Sequence, residues 1–545
     1  VLLQKNLSMH RKMLFMLFVL VINNIYSQTP IRLGLNFPFR NPERASIDSY
    51  MSRIEGSGAQ IYRQMTYADL IWRHIEPTDN NWQFSYSDSI FLNYTDFEFV
   101  GNLYCFSTSS KDSNNVGYQV PWRACNGGPT CGWRYDLDSA DTKDYLTTCI
   151  NRYSSNIKYW ELGNESENSH YPLGIPNIKF IEFARHNYRW IKGINPQVKV
   201  LLPGTLGTFG VPLQDKYNWY RTVFSNGIGN YFDVFSFHDY NAWWTTPIHI
   251  DSILAIRDFY GLQSKECWIT ESSVSSLNDS ISPDYVSIDE QAADVWRRTT
   301  IAWAKGINTF VWHGCWSSGM PSEWAEFGIL DHTGKKKKSY HSFKLLSEKI
   351  IDFTSAEIIS QGVTVDDNYS TTGGNGAWVM KFLVNGKNKY VMWSRDNQTF
   401  QLTPTTNTKY RITNVVPTYI SIDGETVSYS VDSVDVTSGN ARTFNLSSRP
   451  ILVEEINTTS TSAISDENYF KIFPNPTNSD IEIINTINYQ CEFELYDISG
   501  KMVLKTELQA FENKILPIKR ISQGIYIYKI KNKTTKVQEG KIIVE

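Results

Sequence analysis

"IKYWELGNE", Ile157 to Glu165, sets an apolar run against an amide and a carboxylate at its end. A short run rich in Ile, Tyr and Trp suits a buried strand. Asn164 and Glu165 then fall where the chain leaves the core. A solvated loop with a capping residue gives that string, and so does half of a site built on two carboxylates. Similar runs recur along the chain: "IRLGLNF" from Ile31, "AQIYRQ" from Ala59, "FEFVGNLYC" from Phe97, "VKVLLPGT" from Val198, "YFDVFSFHDY" from Tyr231, "ECWITESS" from Glu266 and "INTFVWHGCW" from Ile307. Between them lie segments with apolar residues at helical spacing, such as "NIKFIEFARHNYRWIKGI" and "DEQAADVWRRTTIAWAKG". Eight strands alternating with helices predict a parallel sheet closed into a (β/α)8 TIM barrel over 28–350. A doubly wound open sheet is the rival. If it held a dinucleotide it would show a glycine-rich turn after an early strand, and the sequence has none.

The texture changes after 350. Short alternating stretches such as "GAWVMKFLVNG" and "KYVMWSR" predict an all-β accessory domain over 351–454, read as a sandwich. It would hold substrate or only cover the flank of the barrel. A polar linker is expected at 455–468. Strands separated by Asn, Gly and Pro turns then predict a small C-terminal β-sandwich over 469–545. At the other end, "MHRKMLFMLFVLVINNIYSQ" joins a basic patch, His10 to Lys12, to an apolar run, Met13 to Ile22. The run is about half a membrane span, so residues 1–27 read as a signal peptide, with Ser27 just before the cleavage point.

Composition narrows the function. The 545 residues carry a net charge of -4, which gives no electrostatic case for nucleic acid. Aromatic residues make up 14%, with 17 Trp and 31 Tyr. These side chains stack and hydrogen-bond, as a sugar ring with apolar faces and a hydroxyl rim requires. A large aromatic core accounts for part of the excess. Seven cysteines are too scattered for a disulfide scaffold. Cys125 and Cys131 flank "CNGGPTC" and are the expected pair if one forms. The sequence demands no metal and no organic cofactor.

In a barrel of this kind, side chains at the C-terminal strand ends converge on one face. Strand four ends in Asn164-Glu165 and strand seven in Glu271. Each alone reads as a rim residue or a salt-bridge partner. Together they suit glycosidic cleavage, where one carboxylic acid protonates the leaving oxygen and one carboxylate attacks the anomeric carbon. Repulsion and desolvation separate their pKa values.

"WELGNE" and "WITES" resemble the acid/base and nucleophile motifs of clan A glycoside hydrolases, retaining enzymes on (β/α)8 barrels. The resemblance covers about 31–350. It implies that Glu165 is the acid/base, Glu271 the nucleophile, and Asn164 a hydrogen-bond partner of the sugar 2-hydroxyl. It implies that Arg63, ending strand two, steadies the nucleophile; a barrel-rim salt bridge is the plain alternative. His238 and Tyr240 match a His-x-Tyr pattern after strand six, with Asp239 pointing elsewhere. Trp312, ending strand eight, would floor the cleaved subsite. Trp316 and Trp243-Trp244 would form outer subsites, or pack. His313 is left without a role. The long loop after strand three, with Trp122 and Arg123, carries no family signature, so endo and exo action both stay open. Lys335 to Lys338 read as a solvated helix start in preference to a site for an anionic sugar. A glycan-binding protein on a glycosidase-like barrel is the alternative to an enzyme.

The C-terminal stretch resembles the sorting domain of the type IX secretion system of the Bacteroidota. "FPNPTNSDIEI", "LYDISGKMV", "SQGIYIYKI" and "GKIIV" carry the likeness. It implies the type IX machinery as a partner and export through the outer membrane, to release or the cell surface.

Overall fold

The structure is a computed structural model. It describes residues 30–37, 51–64, 70, 72–76, 80–103, 140–165, 177–205, 213–276, 286–317 and 326–457, then 470–473, 476–477, 480–485, 490–509, 512–518, 521–532 and 535–544. The signal segment, the Cys125–Cys131 pair, Trp122 and Arg123 lie outside the described residues. Among the described residues no helix is long and apolar enough to cross a membrane. The described chain forms two compact units, divided at 456/457.

Eight parallel strands close the barrel in chain order: β1 (Arg32–Phe37), β2 (Ile61–Gln64), β3 (Glu98–Asn102), β4 (Ile157–Glu161), β5 (Lys199–Leu201), β6 (Val234–His238), β7 (Glu266–Ser272) and β8 (Thr309–His313). The helices α1 (Ser85–Phe91), α2 (Ala140–Tyr153), α3 (Asn177–Ile194), α4 (Leu213–Ser225), α5 (Thr246–Phe259), α6 (Ile288–Ala304) and α7 (Lys338–Ile350) lie between and after them. One side chain from each of β2 to β8 fills the interior: Ile61, Val100, Tyr159, Leu201, Val234, Trp268 and Val311. β1 contributes Gly34 to this layer, paired with Ile61 and Val311. A Cβ there would come within 2.5 Å of Ile61 Cγ2, so the packed lumen admits only glycine. The next inward positions toward the C-terminal end are polar, and they include Asn36, Arg63, Glu161 and His313.

α6 starts at Ser287, whose hydroxyl accepts from Glu290 N at 3.1 Å; Asp289 and Glu290 sit in its first turn. It is buried from Gln291 to Trp303, because α7, β8 and the accessory sheet pack around it. That sheet has six antiparallel strands. In spatial order they are β16 (Val431–Val436), β13 (Thr408–Asn414), β18 (Ile451–Asn457), β11 (Lys387–Trp393), β10 (Trp378–Val384) and β9 (Phe353–Ser360). Alternation along β10 sends Trp378, Met380 and Phe382 into the core shared with the barrel, and Val379 into a smaller core on the other face. The ribbon of β12 (Thr399–Leu402) and β17 (Arg442–Asn445) covers the smaller core with Leu402 and Phe444. A second ribbon pairs β14 (Tyr419–Ile420) with β15 (Val427–Ser428). The second layer of the expected sandwich is thus a two-stranded ribbon, because the broad sheet already buries its other face on α6.

The second unit has two antiparallel sheets. One holds β19 (Phe470–Phe473), β20 (Ile481–Asn485) and β23 (Asn513–Leu516). The other orders β22 (Met502–Leu508), β21 (Cys491–Tyr496), β24 (Gly524–Asn532) and β25 (Thr535–Val544). Ile481, Ile483, Phe493, Leu495, Ile530 and Ile542 form its separate core.

Candidate active site

Arg63 projects inward from β2 with no exposed surface. Its Nε donates to Glu161 Oε2, its Nη1 to Glu271 Oε1 and its Nη2 to Asn164 Oδ1, each at 2.6 Å. One guanidinium therefore ties β2 to the ends of β4 and β7. Burial alone would lower its pKa; the charges of Glu161 and Glu271 reverse that and raise it.

After β4 the backbone turns sharply. Gly163 has φ 90° and Glu165 φ 48°. A left-handed conformation is uncommon for glutamate and is held here by Glu165 N donating to Gly204 O at 3.0 Å. The turn aims Glu165 at β6, where His238 Nδ1 lies 2.9 Å from Glu165 Oε1. The His238 ring packs so closely on Gly204 that a Cβ there would fall 2.4 Å from it.

Glu271 is buried at the end of β7. Tyr240 donates its hydroxyl to Oε2 at 2.5 Å, and the Nδ1 atoms of His313 and His238 lie 3.4 and 3.6 Å from that oxygen. Burial pushes the Glu271 carboxyl up, but His238, His313 and Arg63 outweigh it and hold the group well below the usual carboxylate range. Burial, and then the Glu271 charge, push the Tyr240 hydroxyl well above its usual range, so it stays a donor. One oxygen of Glu165, one of Glu271 and a His238 nitrogen all lie within 4.8 Å of one another. Those three groups have the donors to hold a metal ion. His238, His313 and Arg63 already bring positive charge to Glu271, and it would repel a further cation there.

Glu165, Glu271, Asn164, Arg63, His238 and Tyr240 therefore meet at the C-terminal strand ends. Trp312 does not join them, which corrects the expectation of a sugar-stacking floor. Val311 faces the lumen, so Trp312 faces outward, in register with Leu35. It is fully buried there, and its Nε1 donates to Phe327 O at 3.1 Å. A ring without exposed surface has no face for a sugar. His313 takes the inward position, edge-on to Tyr240 with ring centroids 5.4 Å apart. Trp316 is half-buried in the segment after β8, with its ring against Gly334. Trp243 packs edge-on against Trp378 and Trp393, and Trp244 donates to Asp367 O at 3.0 Å. The solvated reading of Lys335 to Lys338 is corrected at Lys337. It is buried, and its Nζ donates to Ser276 Oγ at 2.7 Å.

Sequence reading missed Glu161 and Asn102. Glu161 is fully buried. Burial raises its carboxyl, and Arg63 and the Gly204 N–H hold that rise back. Asn102 Nδ2 donates to Gly163 O at 3.0 Å and so braces the turn before Glu165. Glu161 carried a usable signal: it stands two residues after the inward Tyr159, and a charge on that face requires a buried partner.

Residues 471–545 match the family model of the secretion system C-terminal sorting domain. No curated protein matches the chain. Among solved structures, a family 39 glycoside hydrolase from the gut symbiont Bacteroides cellulosilyticus WH2 aligns with a TM-score of 0.57 and 15% identity, over 79% of this chain and 81% of that one. A glucosidase from Croceicoccus marinus aligns with a TM-score of 0.52 and 14% identity, over 79% and 97%. A monomeric beta-xylosidase from Caulobacter crescentus CB15 gives 0.52 and 12%, over 79% and 96%. Identities this low show a shared fold. The chain carries the sorting domain that marks export by type IX secretion to the cell surface or extracellular space, joined to a barrel that shares its fold with these solved structures.

Proposed function

We propose that the barrel is a retaining glycoside hydrolase acting on a β-linked poly- or oligosaccharide outside the cell. The observation that carries this reading is the pair Glu165 and Glu271, with oxygens within 4.8 Å at the ends of β4 and β7 and with different surroundings. Retaining enzymes hold their carboxyl groups about 5 Å apart; inverting ones leave room for a water. Glu271 is the nucleophile. It is held ionised by His238, His313 and Arg63, and Tyr240 fixes the oxygen Oε2. Glu165 protonates the leaving oxygen as Glu271 Oε attacks the anomeric carbon. The C–O bond to the leaving group breaks, and a glycosyl ester forms on Glu271. Glu165, now a carboxylate, then takes a proton from water, whose oxygen displaces Glu271 and restores both groups. Asn164, held by Arg63, is placed to donate to the sugar beside the anomeric carbon.

Glu271→Gln tests the reading on a glycoside panel. Turnover falls by about 10⁴-fold or more while glycan binding survives. A 2-deoxy-2-fluoro glycoside labels Glu271 in the wild type, and proton NMR shows the β product forming first. Unchanged turnover in the variant, or an α product from a β substrate, defeats the assignment. Binding with neither labelling nor hydrolysis makes the barrel a glycan-binding module.

A further inference from the structure

Asp239 is a buried carboxylate that this reaction does not use. It stands between His238 and Tyr240, the side chains that touch Glu165 and Glu271, and its N–H donates to Glu271 O at 2.9 Å. Its side chain turns away from both glutamates. Oδ1 lies 2.9 Å from His249 Nδ1 and accepts from Asn241 Nδ2 at 3.2 Å; Oδ2 accepts from Thr246 Oγ1 at 2.7 Å. Burial would raise this carboxyl, but His249, with Arg298 and Thr246, holds it below the usual carboxylate range. The network fastens the segment leaving β6 to the start of α5.

The accessory sheet reaches the same network through the 361–377 loop between β9 and β10. Asn368 Oδ1 accepts from Ala242 N at 2.9 Å, and Asn368 Nδ2 donates to Asn241 Oδ1 at 3.0 Å. Asp366 Oδ1 lies 3.4 Å from His249 Nε2. Gly373 lies against Trp244 so closely that a Cβ would fall 2.4 Å from its Nε1. Barrel and sheet are also joined away from this loop, by Arg297 donating to Ser448 O at 2.6 Å and by Trp303 against Phe353. Two of the 361–377 contacts, to Asn241 and His249, reach the residues that bond Asp239, which is flanked by both side chains that hold the glutamates.

We propose that the 361–377 loop is a positioning element for the active site. Through Asn241 and His249 it fixes Asp239, and through Asp239 it fixes His238 and Tyr240 against Glu165 and Glu271. The kinetic side of this inference rests on the glycosidase reading; the geometric side does not. A misplacement of about 1 Å near reacting groups costs roughly 100-fold in rate, so a partial loosening is visible in kcat before it is visible in folding.

The test uses the full chain with Asn368→Ala, Asp239→Asn and, as a control, Arg449→Ala, which removes a sheet-to-α6 ion pair at 2.6 Å far from β6 in sequence. Asn368→Ala is expected to lower kcat about ten-fold with KM little changed, and Asp239→Asn to lower it further. Arg449→Ala leaves kcat unchanged while moving the melting temperature as much as Asn368→Ala does. In protein labelled with 15N only at histidine, the His238 ring resonances shift in Asn368→Ala and not in the control. Wild-type kcat and unmoved His238 resonances in Asn368→Ala overturn the inference, and that variant decides even if Asp239→Asn fails to fold. If the wild type cleaves no glycoside, the glycosidase reading fails and the His238 resonances alone decide: a shift supports the positioning role, and no shift overturns it.

Discussion

A guanidinium without exposed surface must direct its donors into the protein, and Arg63 divides them among Glu161, Glu271 and Asn164. Two carboxylates share its one charge; Glu271 is held ionised by His238 and His313 as well, and it also accepts the Tyr240 hydroxyl. Removing the hydroxyl with Tyr240→Phe takes a hydrogen bond from the charged form of Glu271, which raises its pKa. The nucleophile must be ionised, so the acid limb of kcat/KM moves to higher pH, by about one unit. The pH profile of kcat/KM on a glycoside with a good leaving group checks this. An unmoved or lowered limb would show that Tyr240 does not support the ionised nucleophile. At this scale the sequence revealed residues at strand ends but not the direction they face. Glu165 and Glu271 follow apolar runs and were legible. Trp312 and His313 are neighbours at the end of one run, and both faces of a parallel barrel strand are buried. Apolar character therefore could not say which of the two looks into the lumen; the register of Val311 with Gly34 does.

At the scale of elements, Lys337 joins three of them. It stands just before the first turn of α7, and its Nζ reaches Ser276 beyond β7, Ser317 beyond β8 at 3.4 Å, and Glu326 O at 3.2 Å. A run of four lysines reads as a solvated helix start, since composition does not reveal which member of a run the loops fold over. Burial, opposed by Glu326, lowers the Lys337 pKa from 10.5 to about 8. The folded chain therefore releases this proton before the unfolded chain does. Between about pH 8 and 10.5 the unfolded state binds more protons, so this group's contribution to stability rises with pH across that window. Below it the contribution is constant. The unfolding free energy of wild type minus that of Lys337→Met should rise by about 2 kcal/mol from pH 8 to about pH 9.5. Urea titrations followed by tryptophan fluorescence measure the difference. They report the first unit alone, because all 17 tryptophans precede residue 457. A difference that is flat or falling with pH contradicts a buried, charge-disfavouring site.

For the whole molecule, the cores decide where the chain can be divided. The barrel and the sheet share one core: Trp378, Met380, Phe382, Val391, Trp393 and Leu452 belong to the same buried cluster as Trp296 and Trp303 of α6. The C-terminal unit has its own. Texture alone places the expected boundaries near 350 and near 455, and the two compact units divide at 456/457. Texture does not report whether the pieces on either side of a boundary share a core, and in that respect the two boundaries differ. Exposing those six sheet-side residues' partners at about 1.5–3 kcal/mol per side chain removes on the order of 10 kcal/mol, which is comparable to the whole stability of a typical domain. A chain stopped after Ile350 should therefore aggregate or lack a cooperative tryptophan-fluorescence transition, and it should show no glycoside turnover. A chain stopped after Ile456 should keep the melting temperature and kcat of the full protein, since its core is intact and every named site residue lies before that point. Cooperative melting of the shorter chain at the wild-type temperature would separate the sheet from the barrel's stability. Lost turnover in the longer one would mean that the sorting domain contributes to catalysis as well as to export.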